Sequence, residues 1–233
     1  METATGSPGA TGWRTSPPSR RIVQPWCGDG RRASDRQSGA RPGQEHDTVS
    51  RDHRGSRQVS ASVRTERLAL RPFGEDDFKA VRSYLSDPQV MRYVDDPYSD
   101  KQVRRFLSRW VGDDPPVLAL VRRGKDKVVG HVVFHRYEHP DVYEISWVLH
   151  PKYHRRGYAT EVGRALLDHA FRDLGAHRVF ATTVEGNDAA CRLMATLGMT
   201  REAVLRKSTR HEDRWLDEYY YSVLDTDYAD RRG

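Results

Sequence analysis

A basic loop between a strand and a long helix constrains this chain more than any other feature of its sequence. The strand pattern Val142–Leu149 precedes the loop, and Gly157–Leu174 follows it with apolar residues at helical spacing. At such a helix start, several backbone N–H groups and the positive end of the helix dipole are free. Gly157 leaves room for an anion, and Arg155 and Arg156 add positive charge. The segment therefore predicts a phosphate-binding cradle.

Two better-known phosphate motifs are excluded by their spacing. The segment contains neither GxxxxGK[ST] nor GxGxxG. Because the helix dipole contributes only ~0.3–1 kcal/mol, the backbone N–H groups and the two arginines must share the binding. A tight turn that is merely basic is the structural alternative.

The first 60 residues are too poor in apolar side chains to form a core. They contain 12 apolar residues, whereas 21 are Gly, Pro or Ser. Burial of so little apolar surface cannot offset the entropy lost on ordering. We therefore expect a disordered Arg-, Gly-, Ser- and Pro-rich tail over 1–60 and one folded domain over 61–233. A second interpretation is that translation begins later, near Val49, Val59 or Val63.

Positive charge is concentrated in the same tail. Residues 1–60 have a net charge of +4, so only +2 of the chain's +6 belongs to the rest. The folded part has no basic stripe with interleaved aromatic residues, so nucleic acid is an expected partner only through the tail.

Two cysteines exclude a disulfide scaffold, and no apolar run reaches the ~18 residues of a membrane helix. A cytoplasmic protein without membrane contact is expected.

The hydrophobic periodicity of residues 68–224 predicts a mixed α/β or α+β domain. Its elements follow in the order strand, two helices, three strands, helix, strand, helix and two strands. A turn at 123–126 joins two of the strands as a hairpin. We therefore expect a central sheet, antiparallel in its first half and flanked by helices.

Three segments together resemble the GNAT superfamily of acyl-CoA N-acyltransferases. Residues 154–159, His-Arg-Arg-Gly-Tyr-Ala, are similar to its motif A, written Q/R-x-x-G-x-G/A, with His at the first position. Residues 187–199 resemble its N-x-x-S…L-G-F segment, with Ala and Met replacing Ser and Phe. Residues 64–72 are similar to the start of the Rim-type branch, which includes ribosomal-protein N-terminal acetyltransferases. The resemblance covers about residues 64–228 and implies a mostly antiparallel, twisted sheet that is splayed where acetyl-CoA binds.

The resemblance also implies which residues bind the coenzyme. The strand before motif A would bind the pantetheine arm through its backbone, and motif A would hold the pyrophosphate. Asn187 would contact the coenzyme where two central strands separate, and it can also cap the following helix. Trp147 is otherwise a core aromatic residue. The implied residues are Trp147, Val148, Leu149, Arg155, Arg156, Gly157, Tyr158, Ala159, Thr160 and Asn187.

Glu144 matches a position where the family often has a general base. It would take the proton of the attacking amine directly or through water. The alternative is a solvent-facing glutamate at a sheet edge. A strand N–H near 148–149 would polarise the thioester carbonyl. The family's tyrosine acid falls on Met194, which cannot donate a proton, so Ser146, Tyr219 or water is left as the acid.

A single ordinary carboxylate favours an acceptor amine of low pKa. At pH 7 a lysine amine is neutral in about one molecule per 2,500, and an α-amine in about one per 7. We therefore predict an acetyl-CoA-dependent N-acetyltransferase that acts on a protein or peptide N-terminal α-amine by direct transfer in a ternary complex. The alternatives are a polyamine or aminoglycoside-like acceptor, or a regulatory module that binds acyl-CoA without catalysis. The sequence leaves open whether the domain forms a homodimer.

Two other polar patterns carry weaker predictions. His131, His135 and His139 recur every four residues on a valine-rich strand, where no ligand set is completed, so no metal site is expected. Asp217 and Glu218, on the last strand, either attract a cationic substrate or are simply solvated.

Overall fold

The computed structural model describes residues 63–111, 115–211 and 213–230, so the tail predicted over 1–60 lies outside the described residues. Seven strands form a single sheet, as a mixed α+β fold requires. The strands are β1 Leu68–Arg71, β2 Val117–Arg122, β3 Lys127–Arg136, β4 Val142–Leu149, β5 Arg178–Val184, β6 Thr200–His211 and β7 Arg214–Leu224. The helices are α1 Phe78–Leu85, α2 Pro88–Met91, α3 Asp100–Arg109, α4 Tyr158–Asp168, α5 Asp188–Thr196 and α6 Asp225–Asp230.

The sheet is antiparallel except at one pair of strands. The strand order is β1-β2-β3-β4-β5-β7-β6, and only β4 and β5 run parallel. The prediction of a sheet that is antiparallel in its first half is confirmed. The position of β7 between β5 and β6 does not follow from the sequence, because both pairings of this hairpin satisfy the same alternation of side chains.

Helices cover both faces of the sheet, and each face has its own apolar core. The first core joins Val133 and Val148 of the sheet to α1 and α3, which contribute Val81 and Leu107. We call this side of the sheet face A. The second core lies on the opposite face B, where α4 and α5 pack on the sheet through residues that include Leu166, Leu167 and Met194.

Three helical segments differ from the prediction. The sequence predicts two helices between the first two strands, and the structure has three, since a short helix α2 begins at Pro88. Asp87 caps it by accepting a hydrogen bond from the Gln89 N–H at 2.8 Å, and proline suits the first helical turn. The helix predicted to reach Leu174 is α-helical only to Asp168 and continues as a π-helical turn to Asp173. The chain also forms α6 after the last predicted strand. Within the described ranges, no helix has the length and apolar character to cross a membrane.

Candidate active site

The two parallel strands separate halfway along their length. Their register pairs are Val142 with Arg178, Tyr143 with Val179 and Glu144 with Phe180, and no later pair joins β4 to β5 in the described chain. Residues 145–149 of β4 and 181–184 of β5 extend beyond the last pair. The opening therefore exposes the backbone edge of β4, which is a ready partner for an extended amide-containing chain.

The basic loop after β4 forms a turn with two left-handed residues. Arg155 has φ of 58° and Gly157 has φ of 75°. Turns of this kind direct successive backbone N–H groups into one concavity that binds anions. The His154 imidazole fixes the loop to the strand, since its Nε2–H donates to the Leu149 carbonyl at 2.9 Å.

The start of α4 completes this concavity. The Glu161 N–H donates to the Gly157 carbonyl at 2.9 Å as the first intrahelical bond, so the preceding N–H groups of residues 158–160 have no intrahelical acceptor. The side chains of Arg155 and Arg156 are exposed, and Gly157 is exposed as well. Backbone donors and two exposed cations thus lie at one turn, and the binding of a pyrophosphate there stays a prediction.

Arg67 links the basic turn to the first turn of α4. Its guanidinium donates from Nη1 to the Arg156 carbonyl at 3.0 Å and from Nε to Glu161 Oε2 at 2.6 Å, and it lies 4.8 Å from the centre of the Tyr158 ring. Burial alone would raise the pKa of Glu161, but hydrogen bonds from Thr65 and Arg67 outweigh it and the pKa is lowered. The helical spacing in the sequence places Glu161 on the solvated face of α4, so the sequence does not predict the ion pair between Glu161 and Arg67.

An open depression of about 610 Å³ lies against the same helix start. Its lining residues are Glu66, Arg67, Gly157, Thr160, Glu161 and Arg164. Gly157 and Thr160 are the predicted coenzyme-binding residues that line it, and Arg164 adds a further cation. The depression therefore adjoins the predicted cradle.

Glu144 is buried at the last β4–β5 pair. The residue is 4% exposed, which excludes the alternative of a solvent-facing glutamate. Its Oε2 lies 3.2 Å from His135 Nε2, but the contact is not aligned as a hydrogen bond, and this oxygen has no hydrogen-bond partner among the described residues. A buried carboxylate oxygen without a donor is destabilising unless a ligand or proton satisfies it.

More polar side chains share face A with Glu144. Directly paired residues of neighbouring strands project to the same face. Glu144 pairs with Phe180, and the alternation along β5 and β7 then places Thr182, Glu218 and Tyr220 on face A as well. Burial raises the pKa of the Glu218 carboxyl, and the charge of Glu144 adds to this against hydrogen bonds from nearby hydroxyl groups. Burial also raises the pKa of Tyr220. Glu218 is partly buried, and Asp217 forms an ion pair with Lys207 at 3.2 Å; the attraction of a cationic substrate by either residue stays a prediction.

The other implied coenzyme residues lie where β4 and β5 end. Asn187 caps α5, since its side chain accepts from the Ala190 N–H at 3.3 Å. Trp147 and Leu149 are half-buried against the core of face B, and Val148 is buried in the core of face A. Their contacts with a coenzyme stay predictions. Met194 is 1% exposed within the core of face B.

The three histidines of the sequence pattern have different surroundings in the structure. No group of three or more His, Cys, Asp or Glu side chains with ligand geometry occurs in the described part of the chain. His131 is buried on face A, where its Nδ1 lies 3.1 Å from the Tyr84 hydroxyl. His135 contacts Glu144, and His139 is exposed after β3.

Known proteins are similar to this chain in sequence and in fold. The family model described as the Acetyltransferase (GNAT) domain matches residues 67–200. The uncharacterized N-acetyltransferase YnaD of Bacillus subtilis (strain 168) is 34% identical over 167 residues, covering 71% of this chain and 98% of YnaD. The structure of a GNAT-family acetyltransferase from Bacillus anthracis has a TM-score of 0.66 and 36% identity, covering 70% of this chain and 98% of that one. A spermidine N-acetyltransferase from Vibrio cholerae, solved with CoA and spermine, has the same fold with a TM-score of 0.60 and 18% identity, covering 70% and 98%.

Proposed function

Because this chain belongs to the GNAT family of acetyltransferases, we propose that it transfers the acetyl group of acetyl-CoA to the N-terminal α-amine of a protein or peptide. It is an N-acetyltransferase, and enzymes of this family use an acyl-CoA. The observation that supports the proposal most is the position of buried Glu144 directly beside the opening between β4 and β5. We assign the activity to residues 61–233 and treat 1–60 as a tail.

The residues around the opening suit an acyl-CoA. Gly157, with its positive φ, and the N–H groups of residues 158–160 suit the pyrophosphate, and Arg155 and Arg156 offset its charge. The backbone of Trp147, Val148 and Leu149 suits the amides of the pantetheine arm, and Asn187 lies at the far side of the opening. The thioester would then lie near Glu144.

Transfer requires proton movements before the attack and after it. Glu144 takes a proton from the substrate ammonium, so that an N–H bond breaks and an O–H bond forms. The neutral amine attacks the thioester carbonyl, which a β4 N–H near 148–149 polarises; the C–N bond forms, and the C–S bond breaks. As the amide forms, the nitrogen loses its second proton, and the leaving thiolate takes up a proton from Ser146, Tyr219 or water. The proton lost by the nitrogen replaces the one given to the thiolate, and Glu144 returns its own proton to solvent. The reaction is direct, with no covalent enzyme intermediate.

The proton chemistry favours an α-amine over a lysine side chain. Neutralising a lysine at pH 7 costs about 3.5 kcal/mol more than neutralising an α-amine. One buried carboxylate is better matched to the smaller cost. Membership of the Rim-type branch, which the opening segment of the domain resembles, is part of this proposal.

A small polyamine is the second candidate acceptor. Glu218 and Tyr220 lie on the same face as Glu144, and a second carboxylate suits a substrate that keeps one positive charge while its other amine reacts. If the acceptor is a polyamine, Glu218→Gln should raise the KM for spermidine. The same change should leave the KM for a peptide α-amine unchanged.

Three measurements test the proposed reaction. Acetyl-CoA at about 100 Kd should raise the melting temperature by about 5–10 °C, which corresponds to ~2.7 kcal/mol for a domain of this size. Glu144→Gln should keep that increase and lower kcat about 100-fold or more. Glu138→Gln, an exposed glutamate between β3 and β4, is the matched control and should keep the wild-type rate.

Three outcomes would each contradict a part of the proposal. Wild-type rates for Glu144→Gln at every pH would remove its role as the base. Binding of acetyl-CoA without release of free thiol in the presence of α-amine peptides and polyamines would instead support a non-catalytic acyl-CoA-binding module. The absence of a melting-temperature increase would contradict the coenzyme site itself.

A further inference from the structure

His135 stands between two hydrogen-bond acceptors at the centre of the sheet. Its Nδ1 lies 2.8 Å from the Arg136 carbonyl oxygen, and its Nε2 lies 3.2 Å from Glu144 Oε2. The two side chains are 10% and 6% exposed. Direct pairing of His135 with Glu144 in the β3–β4 register fixes their proximity.

The contact with the Arg136 carbonyl shows which ring nitrogen of His135 carries a proton. A carbonyl oxygen only accepts, so Nδ1 carries a proton. In a neutral ring Nε2 would then present a lone pair to a carboxylate oxygen, and the two would repel each other. A second proton on Nε2 turns this contact into a charge-assisted hydrogen bond and satisfies the oxygen of Glu144 that otherwise has no donor.

The surrounding charges are compatible with a cationic ring. Glu144 faces it directly, and Glu218 lies on the same face, two strands from Glu144. The Tyr137 ring is 6.4 Å from the imidazole, and Tyr220 is the other titratable group near Glu144. Two carboxylates thus offset one imidazolium. The imperfect alignment of the contact is usual for catalytic hydrogen bonds before the substrate binds.

We propose that His135 is a positioning residue for the acetyl transfer. The proposal rests on the proposed function, in which Glu144 is the base. The imidazolium of His135 donates from Nε2 to Glu144 Oε2 and holds the carboxylate in one orientation. This leaves Oε1 to accept the proton of the substrate ammonium, and no proton moves to or from His135 in the step.

A double-mutant cycle separates this role from a structural one. His135→Leu removes the donor, and it should lower kcat by about 10-fold or more with little change in KM for either substrate. In a Glu144→Gln background the same change should lower kcat less than about 2-fold, because the carboxylate it orients is gone. His135→Gln keeps an N–H donor towards Glu144 and should recover most of the activity. His139→Leu, an exposed histidine after β3, is the matched control and should leave kcat unchanged.

The results distinguish a positioning role of His135 from a structural role and from a wrong assignment of the base. An equal loss from His135→Leu in both backgrounds, or no loss in the wild-type background, overturns the positioning role. Failure of His135→Gln to recover activity, with an unchanged melting temperature, also overturns it. If Glu144→Gln alone keeps full activity, the proposed base is wrong, which is a different failure. The increase in melting temperature with acetyl-CoA should be the same for all variants, and it shows that each one folds.

Discussion

Replacement of Gly157 by alanine tests the phosphate cradle at its most constrained residue. Gly157 has φ of 75°, a left-handed conformation that costs an L-residue about 1–2 kcal/mol. An added Cβ would lie 3.5 Å from Arg67 Nη2, which is an ordinary contact, so backbone strain and not a clash determines the loss. We expect the free energy of unfolding to fall by about 1–2 kcal/mol and the melting temperature by about 2–8 °C.

The same change should weaken coenzyme binding by more than it weakens the fold. Relief of the strain rotates the peptide away from φ of 75° and moves the N–H groups that converge at the helix start. A hydrogen bond to a charged group contributes ~1.5–3 kcal/mol. Loss of one such bond to the pyrophosphate should lower the affinity for acetyl-CoA by about 10- to 100-fold.

Gly175 provides the matched control, because it lies at the opposite end of the same helical segment. It has φ of 66°, and an added Cβ would have nothing within 4 Å. Gly175→Ala should therefore lose a similar amount of stability and keep its affinity. Melting curves and titration calorimetry with acetyl-CoA measure the two quantities separately. Equal affinities for the two variants would refute the reasoning that places the anion at Gly157.

Three further predictions follow from burial, from a close backbone approach and from composition. Burial lowers the pKa of His131 to about 3, so the folded protein binds fewer protons than the unfolded chain below pH 6.5. The free energy of unfolding should therefore fall by up to ~1.4 kcal/mol per pH unit as the pH is lowered from 6.5 towards 3. Denaturant titrations measure this fall. It should be smaller in a variant that combines His131→Phe with Tyr84→Phe. Gly130→Ala should lower the free energy of unfolding by about 3 kcal/mol or more, because its Cβ would lie 2.2 Å from the Val148 carbonyl oxygen; a wild-type urea midpoint would contradict that approach. Removal of residues 1–60 should leave unchanged both the melting temperature and its increase with acetyl-CoA, and a smaller increase would show that the tail contributes to binding.

Local signals in the sequence predict the parts of the site that neighbouring residues determine. Strand β4 has the predicted bounds, and α5 begins one residue after its cap Asn187. The turn at Gly157 follows from a glycine between a strand and a helix, because an L-residue is disfavoured at its φ. The prediction of the cradle from the sequence rests on these short-range features alone.

Contacts between distant segments are not visible in such signals. Glu161 has the spacing of a solvated helix residue, yet it binds Arg67, 94 residues earlier in the chain. Glu144 has the alternation of an ordinary strand residue, and only the sheet order shows that it is buried. The pattern of three histidines does not show that one of them faces a carboxylate.

The sequence by itself determined the strands, most of the helices and the basic turn, because these depend on composition and on the preferences of adjacent residues. The tertiary structure alone decided that β7 lies between β5 and β6, that β4 and β5 separate after Glu144, and that His135 and Arg67 meet their carboxylates. The physical reason is that one face pattern is compatible with several strand orders and registers. Packing of the whole chain selects one of them, and with it the neighbours of each charged side chain.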